Sequence, residues 1–172
     1  MKQSDSKKNI RIFIIPILIV AVLTAIDQLT KAIVAGSFTL YESRDIVKNV
    51  FSFTYVQNKG TAWGMLSGKK VLFLIITAIV LILCFYVYYN IADNNKFRLM
   101  RVCLLFLIAG AIGNMIDRIK LGYVIDFFSF DLINFPVFNI ADIYIVCSMI
   151  LIFILVLFKY KDEDIETMFK RK

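Results

Sequence analysis

Four long apolar blocks are the feature that most constrains this 172-residue chain. They run over about 12–34, 71–92, 99–118 and 137–158. A helix of about 20 mostly apolar residues is long enough to cross the hydrocarbon core of a bilayer. Because 60% of the residues are hydrophobic, a soluble fold of this length could not bury them all. The sequence therefore predicts a single, mainly α-helical integral membrane domain over 1–172, built as a four-helix bundle.

Several other classes of protein are disfavoured by composition. With no histidine, the chain cannot form a Ser-His or Cys-His catalytic unit. Its three cysteines lie in apolar blocks without paired spacing, which favours packing over a disulfide framework or a zinc site. The net charge of +7 is explained better by lipid headgroups and topology than by nucleic acid. The first block is too long for a signal-peptide core and lacks a small-residue cleavage pattern, so we interpret it as a retained span.

The distribution of lysine and arginine predicts the orientation of the four spans. Segments 1–11, 90–101 and 159–172 together hold 12 basic residues in 37 positions, whereas 35–70 and 118–136 hold 7 in 55. Because basic residues are enriched on the cytoplasmic side, both termini are expected there. Segments 35–70 and 119–136 are then extracytoplasmic, and the mixed-charge tail 159–172 forms a cytoplasmic helix that is solvated or lies among headgroups.

The outer segments carry patterns of their own. Residues 46–57 alternate apolar and polar side chains around Phe51, Phe53 and Tyr55, which predicts a strand. Residues 119–136 are aromatic-rich and are expected to lie against the membrane surface. Phe51, Tyr55 and Trp63 are more typical of interfacial anchors than of substrate contacts.

Polar side chains gather at one depth of this topology. Asp27 lies roughly 22 Å above the cytoplasmic start of its span, at 1.5 Å of helical rise per residue. The third span ends, and the fourth begins, with further polar residues at the same outer end. Three sets have the spacing of one helix face, and each face should point inward because a lipid-facing ionisable group is costly. The sets are Asp27 with Lys31, Asn114 with Asp117 and Arg118, and Asn139 with Asp142.

Structural and chemical interpretations compete at these positions. Asp27–Lys31 is typical of a structural ion pair, and Asp117–Arg118 could equally be a helix-end pair. Asp126 and Asp142 have no neighbouring cation in sequence and lie in apolar surroundings. Burial and mutual repulsion would leave one of these two acids protonated and the other ionised. Such a pair can activate a water molecule and protonate a carbonyl oxygen.

Five motifs, in order along residues 25 to 145, resemble the lipoprotein signal peptidases (signal peptidase II), a family of bacterial membrane aspartyl peptidases. They are Asp27-Gln-Leu-Thr-Lys31, Asn58-Lys-Gly-Thr-Ala-Trp-Gly64, Gly110-Ala-Ile-Gly-Asn-Met-Ile-Asp-Arg118, Val124-Ile-Asp-Phe127 and Phe138-Asn-Ile-Ala-Asp142. The resemblance implies an endopeptidase of the bacterial cell membrane. Its substrates would be prolipoproteins that already carry diacylglycerol, cut just before the lipidated cysteine.

The same resemblance implies roles for individual residues. Asp126 and Asp142 would be the catalytic pair. Around the pair or the substrate backbone would lie Asn58, Gly60, Asn114, Arg118 and Asn139. Structural support would come from Asp27, Lys31 and Asp117.

Further expectations follow from the family. Segment 46–64 would belong to a small extracytoplasmic β-sheet that cradles the substrate, and 119–136 would form a short surface lid. No metal or cofactor is implied. The expected partners are the prolipoprotein substrates, membrane lipid and globomycin-type inhibitors, with no nucleic acid and with a monomeric enzyme. The chain departs from the family in having Trp63 where Phe is common, and a short interval between its two aspartates.

Three rival interpretations remain at this stage. An ion or proton pathway would place polar residues through the full membrane depth, but the inner halves of the second and fourth spans hold almost none. A scaffold subunit would leave Asp126 and Asp142 unexplained. A Ser–Lys dyad using Lys31 is disfavoured because no serine lies at matching depth beside it.

Overall fold

The computed structural model of the chain describes residues 13–60, 70–92 and 94–170. Its elements are, in chain order, α1 Ile15–Ser37, β1 Ser43–Val47, β2 Phe51–Asn58, α2 Lys70–Ile91, α3 Arg98–Lys120, β3 Val124–Ser129, α4 Ile140–Phe158 and α5 Asp162–Phe169. Short 3₁₀ turns at Asn95–Phe97 and Asp131–Ile133 lie just before α3 and after β3.

Helices α1 to α4 are each long and apolar enough to cross a membrane, which confirms the four predicted spans. Their most apolar 18-residue windows have mean hydropathies from 2.0 to 2.9. On α1, α2 and α4, many large apolar side chains are exposed, as is typical of surfaces that lipid tails cover. The chain is therefore a multi-pass membrane protein.

Helix α3 is the centre of the bundle. In its most apolar window 61% of the residues are buried within the protein, against 22% in α1 and 11% in α2 and in α4. Helices α1, α2 and α4 each pack against it. The contact with α4 is close because Gly110 has no side chain: a Cβ there would lie 2.5 Å from the carbonyl oxygen of Ala141. Small residues allow such close approach between membrane helices.

A three-stranded antiparallel sheet with strand order β1-β2-β3 lies beside the bundle at the end where α1 and α3 terminate. The predicted single strand over 46–57 is wrong in its extent, because β1 and β2 form a hairpin. Asn49 adopts a left-handed conformation in the turn, with φ of 59°. The alternation of side chains does not reveal a tight turn of this kind, because apolar residues continue on both sides of it. The sheet packs on the end of α1 through Val34, Tyr55, Ile125 and Phe127.

Segment 119–136, which we expect to lie against the membrane surface, contains a strand that its sequence pattern does not predict. Residues 124–129 form β3, which pairs with β2 and is mostly buried. Large apolar side chains are exposed on either side of β3, at Ile119, Leu121, Phe130, Leu132, Ile133 and Phe135. The sequence pattern missed β3 because a strand buried on both faces has no alternation to detect.

The opposite end of the bundle is closed by α5. Asn90 and Tyr86 of α2 donate hydrogen bonds to the carbonyl oxygens of Met168 and Phe169, at 2.8 and 2.7 Å. Met168 is buried in an apolar core that also contains Phe97. The tail is thus helical as predicted, but its apolar side is packed on the protein instead of lying free.

Candidate active site

The polar residues of α1 form a buried ion pair, as the sequence predicts. Asp27 is 0% exposed and Lys31 is 1% exposed. The Lys31 ammonium lies 2.9 Å from Oδ2 of Asp27 and also 2.9 Å from Oδ2 of Asp117, on α3. It donates its third hydrogen bond to Oδ1 of Asn114, at 3.0 Å. Every donor of the buried cation is therefore used, as burial of a charge requires.

Asp27 also joins α1 to the start of α4. Its Oδ1 accepts a hydrogen bond from the backbone N–H of Ala141, at 3.1 Å. That N–H belongs to the first turn of α4, where backbone donors have no partner within the helix. Gly113 of α3 faces the same carboxyl group, and a Cβ there would overlap Oδ2 of Asp27. Neither the Ala141 contact nor the role of Gly113 could be read from the spacing of polar residues.

Asp117 does not form a helix-end pair with Arg118, which is one of the alternatives that the sequence leaves open. Its carboxylate instead accepts from Lys31, from the backbone N–H of Ile125 at 3.3 Å and from Nε2 of Gln28 at 2.8 Å. Adjacent residues on a helix point about 100° apart, so Asp117 faces α1 while Arg118 does not. Asp117 thereby links three elements and fixes the start of β3 beside Asp126.

Gln28 is a polar residue of this site that sequence reasoning missed. Besides its bond to Asp117, its Nε2 donates to the carbonyl oxygen of Gly113, at 3.2 Å. A signal was present, since Gln28 directly follows Asp27 in the first motif. It was overlooked because a neutral amide in a span demands a partner less strongly than a charge does.

Asp126 and Asp142 come from different elements and are brought together by Asn139. Nδ2 of Asn139 donates to Oδ1 of Asp126, at 2.6 Å. Its backbone N–H donates to Oδ2 of Asp142, at 3.1 Å, and its Oδ1 accepts from the Asp142 N–H, at 3.0 Å. Asn139 is therefore the cap of α4 and not part of the helix, which corrects the predicted start of the fourth span at 137.

Each aspartate has a second amide partner. Nδ2 of Asn58, at the end of β2, donates to Oδ2 of Asp126, at 2.8 Å. Nδ2 of Asn114 donates to Oδ1 of Asp142, at 2.7 Å. The structure thus brings together both predicted aspartates and all three asparagines that were expected around them.

Burial and the charge of Asp142 determine the ionisation of Asp126. Burial, followed by repulsion from Asp142, raises the pKa of Asp126 to about 7. Hydrogen bonds from Asn58 and Asn139 and the charge of Lys31 oppose that rise. Asp126 can therefore hold a proton close to neutral pH, which is what an acid catalyst needs.

Arg118 and Gly60 lie beside the pair. The Arg118 guanidinium stacks over the Phe73 ring at 4.9 Å and donates a long hydrogen bond of 3.5 Å to the carbonyl oxygen of Asn114. Gly60 has φ of 103°, and its N–H donates to Oδ1 of Asn58 at 2.9 Å. This turn orients the Asn58 amide toward Asp126 and requires a conformation that only glycine adopts easily.

The second motif and the possible metal ligands complete the description of the site. Trp63 and the rest of the second motif beyond Gly60 lie outside the described residues. Within residues 13–60, 70–92 and 94–170, no group of three or more His, Cys, Asp and Glu side chains is arranged to hold a metal ion.

Comparison with known proteins matches both the sequence and the fold. Residues 19–158, which include every site residue described above, match the family described as "Signal peptidase (SPase) II". The lipoprotein signal peptidase of Latilactobacillus sakei subsp. sakei (strain 23K) is 40% identical over 135 residues, covering 78% of this chain and 88% of that protein. That of Lactococcus lactis subsp. lactis (strain IL1403) is 41% identical over 152 residues, covering 88% and 95%.

A solved bacterial membrane enzyme, determined by the in meso method at 2.3 Å resolution, has a similar fold. It matches with a TM-score of 0.75 and 36% sequence identity over 87% of this chain and 93% of that one. Sequence, fold and an aspartate pair in a membrane helix bundle thus agree, and the chain belongs to the signal peptidase II family of aspartic proteases.

Proposed function

We propose that this enzyme removes signal peptides from diacylglyceryl-modified prolipoproteins and cuts just before the lipidated cysteine. The names of the relatives support the substrate class. The observation that carries the proposed chemistry is the bridge by which Asn139 holds Asp126 and Asp142 at one site. The two carboxyl groups sit at the sheet end of the bundle, where a peptide emerging from the membrane could reach them.

In the proposed reaction, Asp126 is the acid and Asp142 is the base. The raised pKa of Asp126 favours its protonated form near neutral pH, so Asp142 carries the negative charge of the pair. Asp142 takes a proton from a water molecule as that water attacks the scissile carbonyl carbon. Asp126 donates its proton to the carbonyl oxygen, and the resulting tetrahedral intermediate carries no net charge from the attack.

Collapse of this intermediate breaks the C–N bond. The proton gained by Asp142 goes to the departing amine of the lipidated cysteine. The new carboxyl group stays on the signal peptide, and a proton returns to Asp126. Water is consumed in the cycle and both aspartates recover their starting states.

The surrounding residues would supply orientation. Amide donors from Asn58, Asn114 and Asn139 hold both carboxyl groups without competing for the proton that moves. Arg118 forms no ion pair with a carboxylate in the part of the chain that the structure describes, so its guanidinium can bind a substrate carbonyl. Cyclic peptides of the globomycin type would compete for the same place, and a monomer would suffice because one chain contributes both aspartates.

An ion or proton pathway fits less well. The polar network is concentrated at the sheet end, whereas the opposite end is packed with apolar side chains such as Phe97, Met100, Ile108 and Met168. A conducting path would need polar groups or water through that half as well.

The proposal is tested by Asp126→Asn and Asp142→Asn. Each change keeps the size and one hydrogen-bond acceptor but removes proton exchange, so turnover should fall at least about 10²-fold. The measurement is cleavage of a purified, diacylglyceryl-modified precursor in detergent, with the same precursor lacking lipid as a second substrate. The unlipidated precursor should be cut poorly.

Asp45→Asn, on the exposed edge strand β1, is the matched control and should leave turnover unchanged. Thermal unfolding of each variant shows whether it is folded. Near-normal turnover by either pair variant would overturn the aspartate mechanism. Equal cleavage of the two precursors would overturn the lipidated substrate class.

A further inference from the structure

The orientation of the asparagine side chains decides whether the aspartate pair meets hydrogen-bond donors or acceptors. An asparagine amide has an oxygen that accepts and an NH₂ group that donates, and the two ends have almost the same shape. If the Asn114 amide turned over, its oxygen would face the Asp142 carboxylate and repel it. Something else in the protein must therefore select the orientation.

For Asn114 that selection is made by Lys31. An ammonium group has three donors and no acceptor, so it can approach only the oxygen end of an amide. Lys31 lies 3.0 Å from Oδ1 of Asn114, and this leaves Nδ2 to donate to Asp142 at 2.7 Å. Asn139 adds a second donor to the same oxygen, at 3.1 Å.

The position of Lys31 is itself determined by its two other partners. Asp27 and Asp117 each hold its ammonium at 2.9 Å. Their remaining oxygens accept from Ala141 and Gln28, so neither carboxylate can easily turn away. The two carboxylates, one on α1 and one on α3, thus hold the Lys31 ammonium in place independently of its contact with Asn114.

We propose that Lys31 is a positioning residue for peptide cleavage, whose ammonium group fixes the Asn114 amide so that an N–H donor faces Asp142. This inference rests on the function proposed above, because it assumes that Asp142 works as an ionised base. The role goes beyond structural support, since it acts on one catalytic carboxylate through one amide.

A suitable test removes the cation without leaving an excess of buried negative charge. Asp27→Asn combined with Lys31→Met keeps the net charge of the cluster, and Asp117 retains its donors from Gln28 and Ile125. Asp27→Asn alone is the matched variant, because Lys31 still has Asp117 and Asn114 as partners. The substrate is the lipidated precursor, and thermal unfolding is measured for every variant.

The double variant should have a kcat on the order of 10-fold or more below that of Asp27→Asn, with KM changed far less. The acidic limb of its kcat profile should move to higher pH, because the amide no longer supports ionisation of the pair. Among the described residues, the other charged groups around Asp126 and Asp142 are the ion-pair network of Asp27, Lys31 and Asp117, and Arg118 of α3. Thr24→Val removes a different buried α1–α3 hydrogen bond and should leave kcat and its pH profile unchanged.

A double-mutant cycle separates positioning from general support. Adding Asn114→Ala to the double variant should lower kcat only slightly further, because Lys31 acts through that amide. Additive losses, or a kcat equal to that of Asp27→Asn, would overturn the role of Lys31. Retained cleavage by Asp142→Asn would instead overturn the proposed mechanism, so the two failures are distinguishable.

Discussion

At the scale of single residues, burial of the aspartate pair lowers the free energy of unfolding of the protein. Asp126 is 1% exposed and shares its surroundings with a second carboxyl group. An unfolded chain would release the Asp126 proton above pH of about 4, whereas the folded protein keeps it until about 7. Unfolding therefore releases a proton in this interval, and the free energy of unfolding falls as pH rises through it.

Asp126→Asn should remove this pH-dependent cost. The variant should be more stable than the unmodified protein at pH 8, and the gap in Tm should close as pH falls toward 4. Thermal unfolding in detergent across this range is the measurement, with Asp45→Asn as the exposed control that shows no such gap. A Tm difference that is the same at pH 4 and pH 8 would contradict the account of Asp126.

The residues with full charges could be identified from sequence, but several of their partners could not. Asp27–Lys31 is confirmed as a pair because a buried charge in a span requires a nearby counter-charge. For Asp117 the sequence leaves a helix-end pair with Arg118 open, whereas the cation that it binds, Lys31, lies 86 positions away on another helix. With two carboxylates around Lys31, loss of one no longer leaves the cation unpaired. We therefore expect Asp27→Asn to leave Lys31 paired with Asp117.

At the scale of elements, the structure explains why Asp142 of α4, the proposed base, lies where it does. Asn139 and Asp142 form a reciprocal cap at the first turn of the helix. Their spacing of three residues was interpreted as one helix face, and it is equally the spacing of a capping box. Apolar periodicity cannot distinguish a shared helix face from a capping box near the start of a helix, because the residues on both sides are apolar.

The tail helix α5 gives a prediction at the same scale. Met168 is 3% exposed within the core at the end opposite the sheet, whereas Phe169 beside it is 53% exposed. Met168→Ala should destabilise the protein by about 2 kcal/mol or more, because it leaves a cavity. Phe169→Ala, which keeps the carbonyl that Tyr86 binds, should change stability by about 0.5 kcal/mol or less.

Equilibrium unfolding in detergent measures both changes. The kcat of folded Met168→Ala should equal that of the unmodified enzyme, because α5 and the aspartate pair lie at opposite ends of the bundle. Equal destabilisation by the two substitutions would show that α5 is not packed in solution.

At the scale of the whole molecule, polarity is divided between the two ends of the bundle. The sheet end holds the aspartates, the amides and the ion-pair network, and the other end is closed by α5 and an apolar core. Composition and block length were sufficient to predict four spans, because a helix needs only about 20 mostly apolar residues to cross the hydrocarbon core. The hairpin and β3 were harder to predict, since pairing between distant strands is not encoded in local hydropathy.

The orientation of the molecule in the membrane is the last prediction. We propose that both termini are cytoplasmic in the bacterial cell membrane, because the segments at the α5 end are denser in lysine and arginine. The test uses a cysteine-free background in which Cys84, Cys103 and Cys147 are replaced by alanine. Lys48→Cys in the exposed β1–β2 turn and Glu163→Cys on α5 then each provide one reactive thiol.

A membrane-impermeant maleimide added to intact cells should label the position-48 variant at once and the position-163 variant only after the membrane is permeabilised. In the proposed function the lipidated precursor emerges at the outer face, and the proposed orientation would place the aspartate pair on that side. The cysteine-free parent should stay unlabelled and cleave the lipidated precursor normally. The reverse labelling pattern would contradict the orientation, and with it the proposal that the pair meets its substrate at the outer face.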